Sequence, residues 1–206
     1  MNSELRMTQY INNPSPQTSQ PLVALYCGSR SGNNPIYQEK AVQLARKLAE
    51  QGFGMVYGGA SIGLMGLVAD TVVQHGGQAV GVIPEFMLDY EIAHSNLTEL
   101  HVVKSMHERK AMMADRASAF VALPGGLGTF EEIVERCAWR QLNQHQKTMI
   151  FYNVNGFYDA LIQQLDHAVH EGFLPPQHRA KLIVCNHSHK IINALKNLDS
   201  PRHFVG

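Results

Sequence analysis

The sequence predicts an α/β protein built on one doubly wound parallel sheet with helices on both faces. Three observations carry that expectation. From Leu22 onward, short apolar runs alternate with stretches of helical periodicity. The apolar runs are continuous rather than alternating, as strands buried on both faces require. Three of them run directly into glycine-bearing turns.

The strands expected, in order, are Leu22–Cys27, Phe53–Tyr57, Ala79–Ile83, Glu99–Val103, Ala119–Leu123, Thr148–Tyr152 and Leu182–Cys185. Helices are expected between and after them at Ile36–Gln51, Leu64–His75, Met106–Ala117, Thr129–Gln141, Phe157–His170 and His187–Leu198. Pro84–Leu97 is less regular and reads as a loop or short helix. Right-handed crossovers gather the strand-to-helix turns at the carboxyl edge of such a sheet, the edge where doubly wound, Rossmann-like folds bind ligands. There is no internal repeat and no second domain in this reading. Residues 1–20, polar and rich in Asn, Gln, Ser and Pro, read as a flexible tail, and 21–206 as one nucleotide-binding domain.

Composition narrows the partners. Seventeen basic and seventeen acidic residues cancel, which disfavours general nucleic-acid binding but not a small anionic ligand. Three cysteines, Cys27, Cys137 and Cys185, fit reduced thiols in a cytoplasmic protein better than a disulfide framework. No apolar run approaches the ~18 residues of a membrane span, and the amino-terminal residues show no secretion pattern.

The glycine turns are Cys27-Gly28-Ser29-Arg30-Ser31-Gly32, Gly58-Gly59-Ala60-Ser61-Ile62-Gly63-Leu64-Met65-Gly66 and Pro124-Gly125-Gly126-Leu127-Gly128-Thr129. A glycine turn between strand and helix leaves backbone N–H groups at the positive end of the helix dipole, where phosphate binds well. Gly58 and Gly63 have Walker spacing, but Leu64 and Met65 stand where Lys and Ser or Thr are needed, so magnesium-dependent triphosphate hydrolysis is disfavoured. The second strand ends in Tyr57-Gly58-Gly59 rather than the acid that holds an NAD ribose. A nucleoside monophosphate is the simplest ligand left.

Glu132 lies one turn into the helix after the third turn, beside whatever the phosphate carries. Thr129-Phe130-Glu131-Glu132 also reads as a capping box, with Thr129 as N-cap, Glu132 folding back on it and Glu131 facing solvent. The open Pro-Gly-Gly-x-Gly turn favours the chemical role. Before the fifth strand, Arg109 and Lys110 stand near a helix N-terminus, where two cations are unfavourable unless an anion offsets them. Surface charge with Glu108 as partner is the plain alternative. Met106, Met113 and Ala117 fall at helical spacing, which predicts core positions. The eleven histidines show no His-Glu-x-x-His or Cys-x-x-Cys pattern, and neither a metal nor a cofactor is expected.

Met106-x-x-Arg109-Lys110 followed by Pro124-Gly-Gly-x-Gly-Thr-x-x-Glu132 resembles the paired signature of the LOG (LONELY GUY) family, the cytokinin riboside 5′-monophosphate phosphoribohydrolases. Many of its relatives carry a lysine decarboxylase label. The resemblance runs from about Leu22 to Leu198. It implies hydrolysis of the N-glycosidic bond of an adenosine-type 5′-monophosphate, with Arg109 and Glu132 catalytic. Lys110, Met106, Glu91 and the Gly126–Glu132 stretch would contact substrate, beside Gly28, Ser29, Gly58, Gly59, Pro124 and Gly125 of the turns. It also implies a homodimer or larger assembly. The chain departs from the family pattern at Tyr90, Ala138 and Thr148, which bears on base preference. Rival readings are a non-catalytic nucleotide or cofactor carrier, a nucleic-acid-processing protein, and a pyridoxal-phosphate decarboxylase. The last needs a Schiff-base lysine, and Lys40, Lys104 and Lys181 sit in no such setting.

Overall fold

A computed structural model of the chain describes residues 20–88 and 93–198. The expected tail, apart from Gln20, lies outside the described residues. Strands and helices alternate as β1 (Leu22–Tyr26), α1 (Ile36–Glu50), β2 (Gly54–Tyr57), α2 (Gly63–Gln74), β3 (Ala79–Pro84), β4 (Glu99–Val103), α3 (Met106–Arg116) and β5 (Ala117–Ala122). There follow α4 (Leu127–Gln141), β6 (Thr148–Tyr152), α5 (Asp159–His170), the single turn α6 (Pro176–Arg179), β7 (Leu182–Cys185) and α7 (Ser188–Lys196). Short 3₁₀ turns occupy Glu85–Met87 and Val154–Gly156.

The seven strands form one sheet in the order β4-β3-β2-β1-β5-β6-β7, and every ladder is parallel. The chain winds outward from β1 to β4, returns to β5 on the other side of β1, and winds outward again. The switch point therefore lies between the carboxyl ends of β1 and β5, where a crevice forms because the two crossovers diverge.

Strand alternation divides the core into two layers. Val23 and Leu25 of β1 and Cys27 just after it, with Val121 of β5 and Ile150 of β6, pack under α1, α2 and α7. Ala24 and Tyr26, with Phe120 and Phe151, pack under α3, α4 and α5. Each large aliphatic side chain so buried contributes about 1.5–3 kcal/mol. That is why the central strands are apolar at consecutive positions instead of every second one. The edge strand β4 keeps this only in part: Glu99 and Val102 are exposed, and Glu99 binds His101 and Arg116.

Two anchors fix the second half of the chain. Tyr158 donates its hydroxyl proton to the Leu123 carbonyl at 2.6 Å, tying the start of α5 to the end of β5. Lys147 donates from Nζ to the Ala114 carbonyl at 2.6 Å, supplying a cation to the last turn of α3, where helix carbonyls lack partners.

Helix boundaries differ from expectation at two informative places. Ala117, expected on a helix face, is the C-cap of α3 and the first residue of β5, so its burial comes from the sheet. Met106, expected in the core with Met113, is exposed, whereas Met113 is buried. Met106, His107 and Glu108 of the first turn of α3 are exposed, and the buried face of the helix begins at Arg109.

Candidate active site

The three glycine turns meet at the switch point and interlock through their backbones. Gly28 N–H donates to the Pro124 carbonyl at 3.1 Å, and Leu64 N–H donates to the Gly28 carbonyl at 3.1 Å. A Cβ on Gly125 would lie 2.1 Å from Thr129 Oγ1 and 2.8 Å from Gly28 N. No side chain fits where these turns cross, so Gly125 answers to packing. Gly126 and Gly128 differ: a Cβ at either meets nothing within 4 Å. With Leu127, which is 85% exposed, they form an open rim around the start of α4.

Helix α4 begins at Leu127 with Gly126 as its N-cap, two residues before the expected start. The Thr129–Glu132 capping box is therefore not formed. Thr129 is already the third helical residue and is buried, and the N-cap, a glycine, has no side chain to bond the first turn. Its amides, at the positive end of the dipole, are available to an anion. The same Ser-x-x-Glu logic operates at α3 instead. Ser105 Oγ accepts from Glu108 N–H at 3.1 Å, and Glu108 Oε2 accepts from Lys104 N–H at 2.8 Å. Glu108 is thus occupied in capping, and the paired cations behind it find their partners elsewhere.

Arg109, one residue further along α3, points into the sheet edge and is 5% exposed. Its Nη2 lies 3.9 Å from Glu132 Oε1, so the two residues singled out as catalytic approach each other from separate helices. Nη1 rests against two thioethers, Met87 Sδ at 3.3 Å and Met106 Sδ at 3.7 Å, which are weak acceptors. Nε is buried without a hydrogen-bond partner among the described residues. A guanidinium so poorly satisfied is costly to bury unless a further anion or acceptor joins it. Gly58 makes room for it: a Cβ there would lie 2.0 Å from Nη2. The second glycine turn thus serves the site by accommodating Arg109, a role its Walker-like spacing did not disclose.

Glu132 itself is half-buried, and beneath it lies a small crevice lined by Tyr26, Lys110, Met113, Glu135 and Arg136. Lys110 reaches across from α3 to α4, with Nζ at 2.6 Å from Glu131 Oε1 and 2.8 Å from Glu135 Oε1. Burial opposes its charge, yet the two carboxylates outweigh that and raise its pKa above the ordinary lysine value. Burial likewise opposes the charge of Glu135, and Lys110 and Arg136 outweigh it and lower that pKa. Arg136 is 2% exposed, pairs with Glu135, and lies 4.3 Å from the centre of the Trp139 ring. Glu131 is exposed as expected, but it is ion-paired. Burial, with the Glu132 charge next, raises the pKa of Tyr26 and of Cys27, keeping both neutral beneath the site.

Of the remaining residues expected at the site, Gly28, Gly58, Gly59 and Pro124 are buried in the interlocked turns, and Ser29 is exposed at their lip. Glu91 lies outside the described residues. Met87 was missed, because a methionine in an irregular segment carries no sequence signal for such a contact. Among the described residues no three His, Cys, Asp or Glu side chains converge as a metal site, and no helix is long and apolar enough to cross a membrane.

Solved structures share the fold at low identity. The molybdenum cofactor carrier protein of Chlamydomonas reinhardtii superposes with a TM-score of 0.64 at 18% identity, over 87% of this chain and 98% of that one. The cytokinin riboside 5′-monophosphate phosphoribohydrolase of Rhodococcoides fascians is 42% identical over 185 residues, 89% of this chain and 91% of its own length. An Arabidopsis thaliana protein of the same name is 42% identical over 177 residues, 86% and 82% of the two chains. The profile of the family described as "Possible lysine decarboxylase" matches residues 65–195, a span that holds both helix starts and the carboxylate pair partners. The chain belongs to this family, the LOG proteins.

Proposed function

We propose that the protein hydrolyses the N-glycosidic bond of adenosine-type nucleoside 5′-monophosphates, AMP or cytokinin riboside 5′-monophosphates, to free base and ribose 5-phosphate. The observation that carries this reading is the approach of Arg109 and Glu132 to 3.9 Å above the switch point, beside the uncapped first turn of α4. Relatives above 40% identity named for this reaction support it.

Breaking the ribosyl–base bond builds positive charge on the sugar and negative charge on the departing purine. The chain's groups match those charges. The Glu132 carboxylate stabilises the cationic sugar and takes a proton from the attacking water, whose oxygen bonds to C1′. The C1′–N9 electron pair leaves with the base, which takes up a proton from solvent, and Glu132 returns its proton to solvent. Arg109 offsets the charge on the leaving base or on the phosphate. The α4 amides, with Gly126, Leu127, Gly128 and Thr129, grip the 5′-phosphate and convert remote binding into positioning at C1′. Gly28, Ser29, Gly58 and Gly59 complete the floor, and residues 21–206 act as one catalytic domain. No cofactor enters this scheme.

The decarboxylase description has no support in the side chains of the described residues. Lys110, the lysine beside the site, is held by two carboxylates and charged, the opposite of a Schiff-base lysine. A carrier has no chemical need for a carboxylate held 3.9 Å from a buried guanidinium. The protein acts in the cytoplasm as a homodimer or larger homo-oligomer. Exposed Val134, Trp139 and Leu142 on or next to α4, and Phe173 after α5, supply apolar surface for a subunit contact. Val134 also lines a groove of about 160 Å³ with Cys137, Leu165 and Leu182.

The test is base release from AMP, isopentenyladenosine monophosphate and the matching nucleosides, in the wild type and in Glu132→Gln. Phosphate-dependent release that collapses in the variant is expected. Near wild-type release by Glu132→Gln, or equal activity on nucleosides, overturns the reading.

A further inference from the structure

His94 has no part in that scheme, yet it is 6% exposed with its amide and both ring nitrogens engaged. Its N–H donates to the Gly59 carbonyl at 2.9 Å, beside an isolated antiparallel bridge between Ala60 and Ala93. The ring reaches the other way, to α2, where Nε2 lies 3.1 Å from Asp70 Oδ1. Nδ1 accepts from Asn96 N–H at 3.1 Å. A ring nitrogen that accepts from a main-chain amide carries no proton, so the ring is neutral and Nε2 donates its proton to Asp70. His94 thus spans the second glycine turn, from Gly59 near its start to the helix it leads into. That turn needs an outside hold: Gly58, Gly59 and Gly63 bring no side chains to pack it, Gly59 stands at φ +80°, and glycine backbone is costly to order. Its place matters to the site, because a Cβ on Gly58 would collide with Arg109 Nη2.

We propose that His94 is a positioning residue for Arg109: by joining Gly59 to Asp70 it holds the second glycine turn where Gly58 gives the guanidinium its place opposite Glu132. Strand β2 fixes one end of the turn. The other end is fixed by α2, whose Leu64 N–H donates to the Gly28 carbonyl at 3.1 Å. Between those ends the turn is held from outside by His94 and by Tyr57, whose hydroxyl donates to the Ala60 carbonyl at 3.1 Å. Arg109 depends on such surroundings because its own bonds hold it weakly. Nη1 has two thioethers at 3.3 and 3.7 Å, and Nε is buried without a hydrogen-bond partner among the described residues. A histidine suits the place, since one ring both accepts from Asn96 and donates to Asp70. Asp70 is 51% exposed, so its end of the tie can be cut without opening the core.

This inference rests on the hydrolase reading, and its test separates the two. Asp70→Ala, Asp70→Asn, His94→Asn and the Asp70→Ala/His94→Asn double variant are compared with wild type. His94→Asn keeps an acceptor near the Nδ1 position for Asn96 N–H but loses the reach to Asp70, and Asp70→Asn keeps an acceptor for the Nε2 proton. Four readouts are taken: the nitrogen-15 spectrum of the His94 ring near neutral pH, kcat and KM for AMP or isopentenyladenosine monophosphate, calorimetric affinity for ribose 5-phosphate, and thermal midpoint. The wild-type spectrum should show a neutral ring with its proton on Nε2. Assayed well below their midpoints, Asp70→Ala and His94→Asn should each lose roughly tenfold in kcat, with KM and ribose 5-phosphate affinity within about threefold of wild type. The double variant should fall little further than the worse single variant, because one tie is cut in all three. Asp70→Asn should keep kcat within about threefold of wild type. A kcat within about threefold of wild type in Asp70→Ala, whatever its midpoint, makes the tie merely structural and overturns the proposal. Multiplicative losses of kcat in the double variant overturn it as well, as does a His94 ring carrying a proton on Nδ1. A loss of ribose 5-phosphate affinity with kcat intact also overturns it. Absence of base release by the wild type overturns the hydrolase reading instead. In that case, an Nε2-protonated ring with subadditive thermal midpoints upholds the tie between the turn and α2, and any other result removes it.

Discussion

Replacing Gly58 with alanine probes the site through its least obvious member. The new methyl carbon would lie 2.0 Å from Arg109 Nη2 and 3.1 Å from Cζ. Restoring an ordinary contact of 3.4 Å requires the guanidinium to withdraw by about 1.4 Å. It has little room to do so: Met87 Sδ and Met106 Sδ already lie at 3.3 and 3.7 Å, and the side chain is 5% exposed. Displacement of about 1 Å at a reacting group is enough to cost on the order of 10²-fold in rate, or about 2.7 kcal/mol of barrier. The backbone at Gly58 does not have the positive φ that excludes other residues, so the fold should survive. A 1 kcal/mol loss shifts the midpoint of a domain this size by about 2–4 °C, and a shift of that order is the expected limit. The assay is kcat for base release from a nucleoside monophosphate, with circular dichroism melting as the control. A well-folded Gly58→Ala with kcat within threefold of wild type would refute the claim that Arg109 acts from where it lies.

Three further outcomes follow from the same geometry. Gly128→Ala adds a methyl in open space on the second helical residue of α4, so stability should hold or rise by up to about 1 kcal/mol. If the rim receives the phosphate, KM should rise severalfold at the same time, and steady-state kinetics beside a melt will show both. Lys147→Met removes the donor that reaches the last carbonyls of α3, at a cost of about 1–3 kcal/mol, read as a lower denaturant midpoint with unchanged m-value. The third concerns pH. Burial lowers the pKa of His145, whose Nε2 meets the Arg136 carbonyl at 2.9 Å and whose Nδ1 accepts from Lys147 N–H at 3.2 Å. A lowered folded pKa means this contribution is full above the ordinary histidine value of about 6.5 and lost as pH falls through the folded value. Glu135, also lowered, adds a second loss below the ordinary carboxylate value of about 4.3. Lys110, raised, keeps its share until pH climbs past the ordinary lysine value of about 10.4. Urea melts from pH 4 to 11 should therefore show a plateau near neutrality, and rising stability as pH drops below 6 would contradict the assignment.

Much of this was legible in the chain before any coordinates. β4, β6 and β7 fall where the apolar runs placed them, because each run is bounded by polar or turn-forming residues that leave no choice of register. The start of α4 was not. Side-chain capping made Thr129 the natural first residue, whereas the helix is opened by a bare glycine backbone two residues earlier. Ser105–Glu108 carried the same signal and was real, the difference being that no glycine turn competes there. The pairing of Arg109 with Glu132 was inferable from the two motifs together. The partners of Lys110 were not, since they lie 21 and 25 residues away and exist only once α3 and α4 are packed. Met87 against Arg109 is of the same kind.

The likeness to a cofactor carrier at 18% identity locates where function enters this architecture. A doubly wound sheet delivers helix starts and glycine turns to one edge whatever the protein does there. In this chain α3 and α4 bracket β5, so their first turns necessarily flank the switch point. The sheet, however, sets only the height and direction of the helices. Which side chain faces the crevice depends on helical phase, and one residue of slip rotates it by about 100°. Arg109 and Glu132 face each other because Ser105 with Glu108 fixes the start of α3, and Gly126 that of α4. Gly58 then leaves the space the guanidinium fills, and Lys110 joins the two helices. Only the phase and the clearance distinguish the proposed reactive pair from two surface charges, so variants of caps and glycines test the proposal as directly as variants of the pair itself.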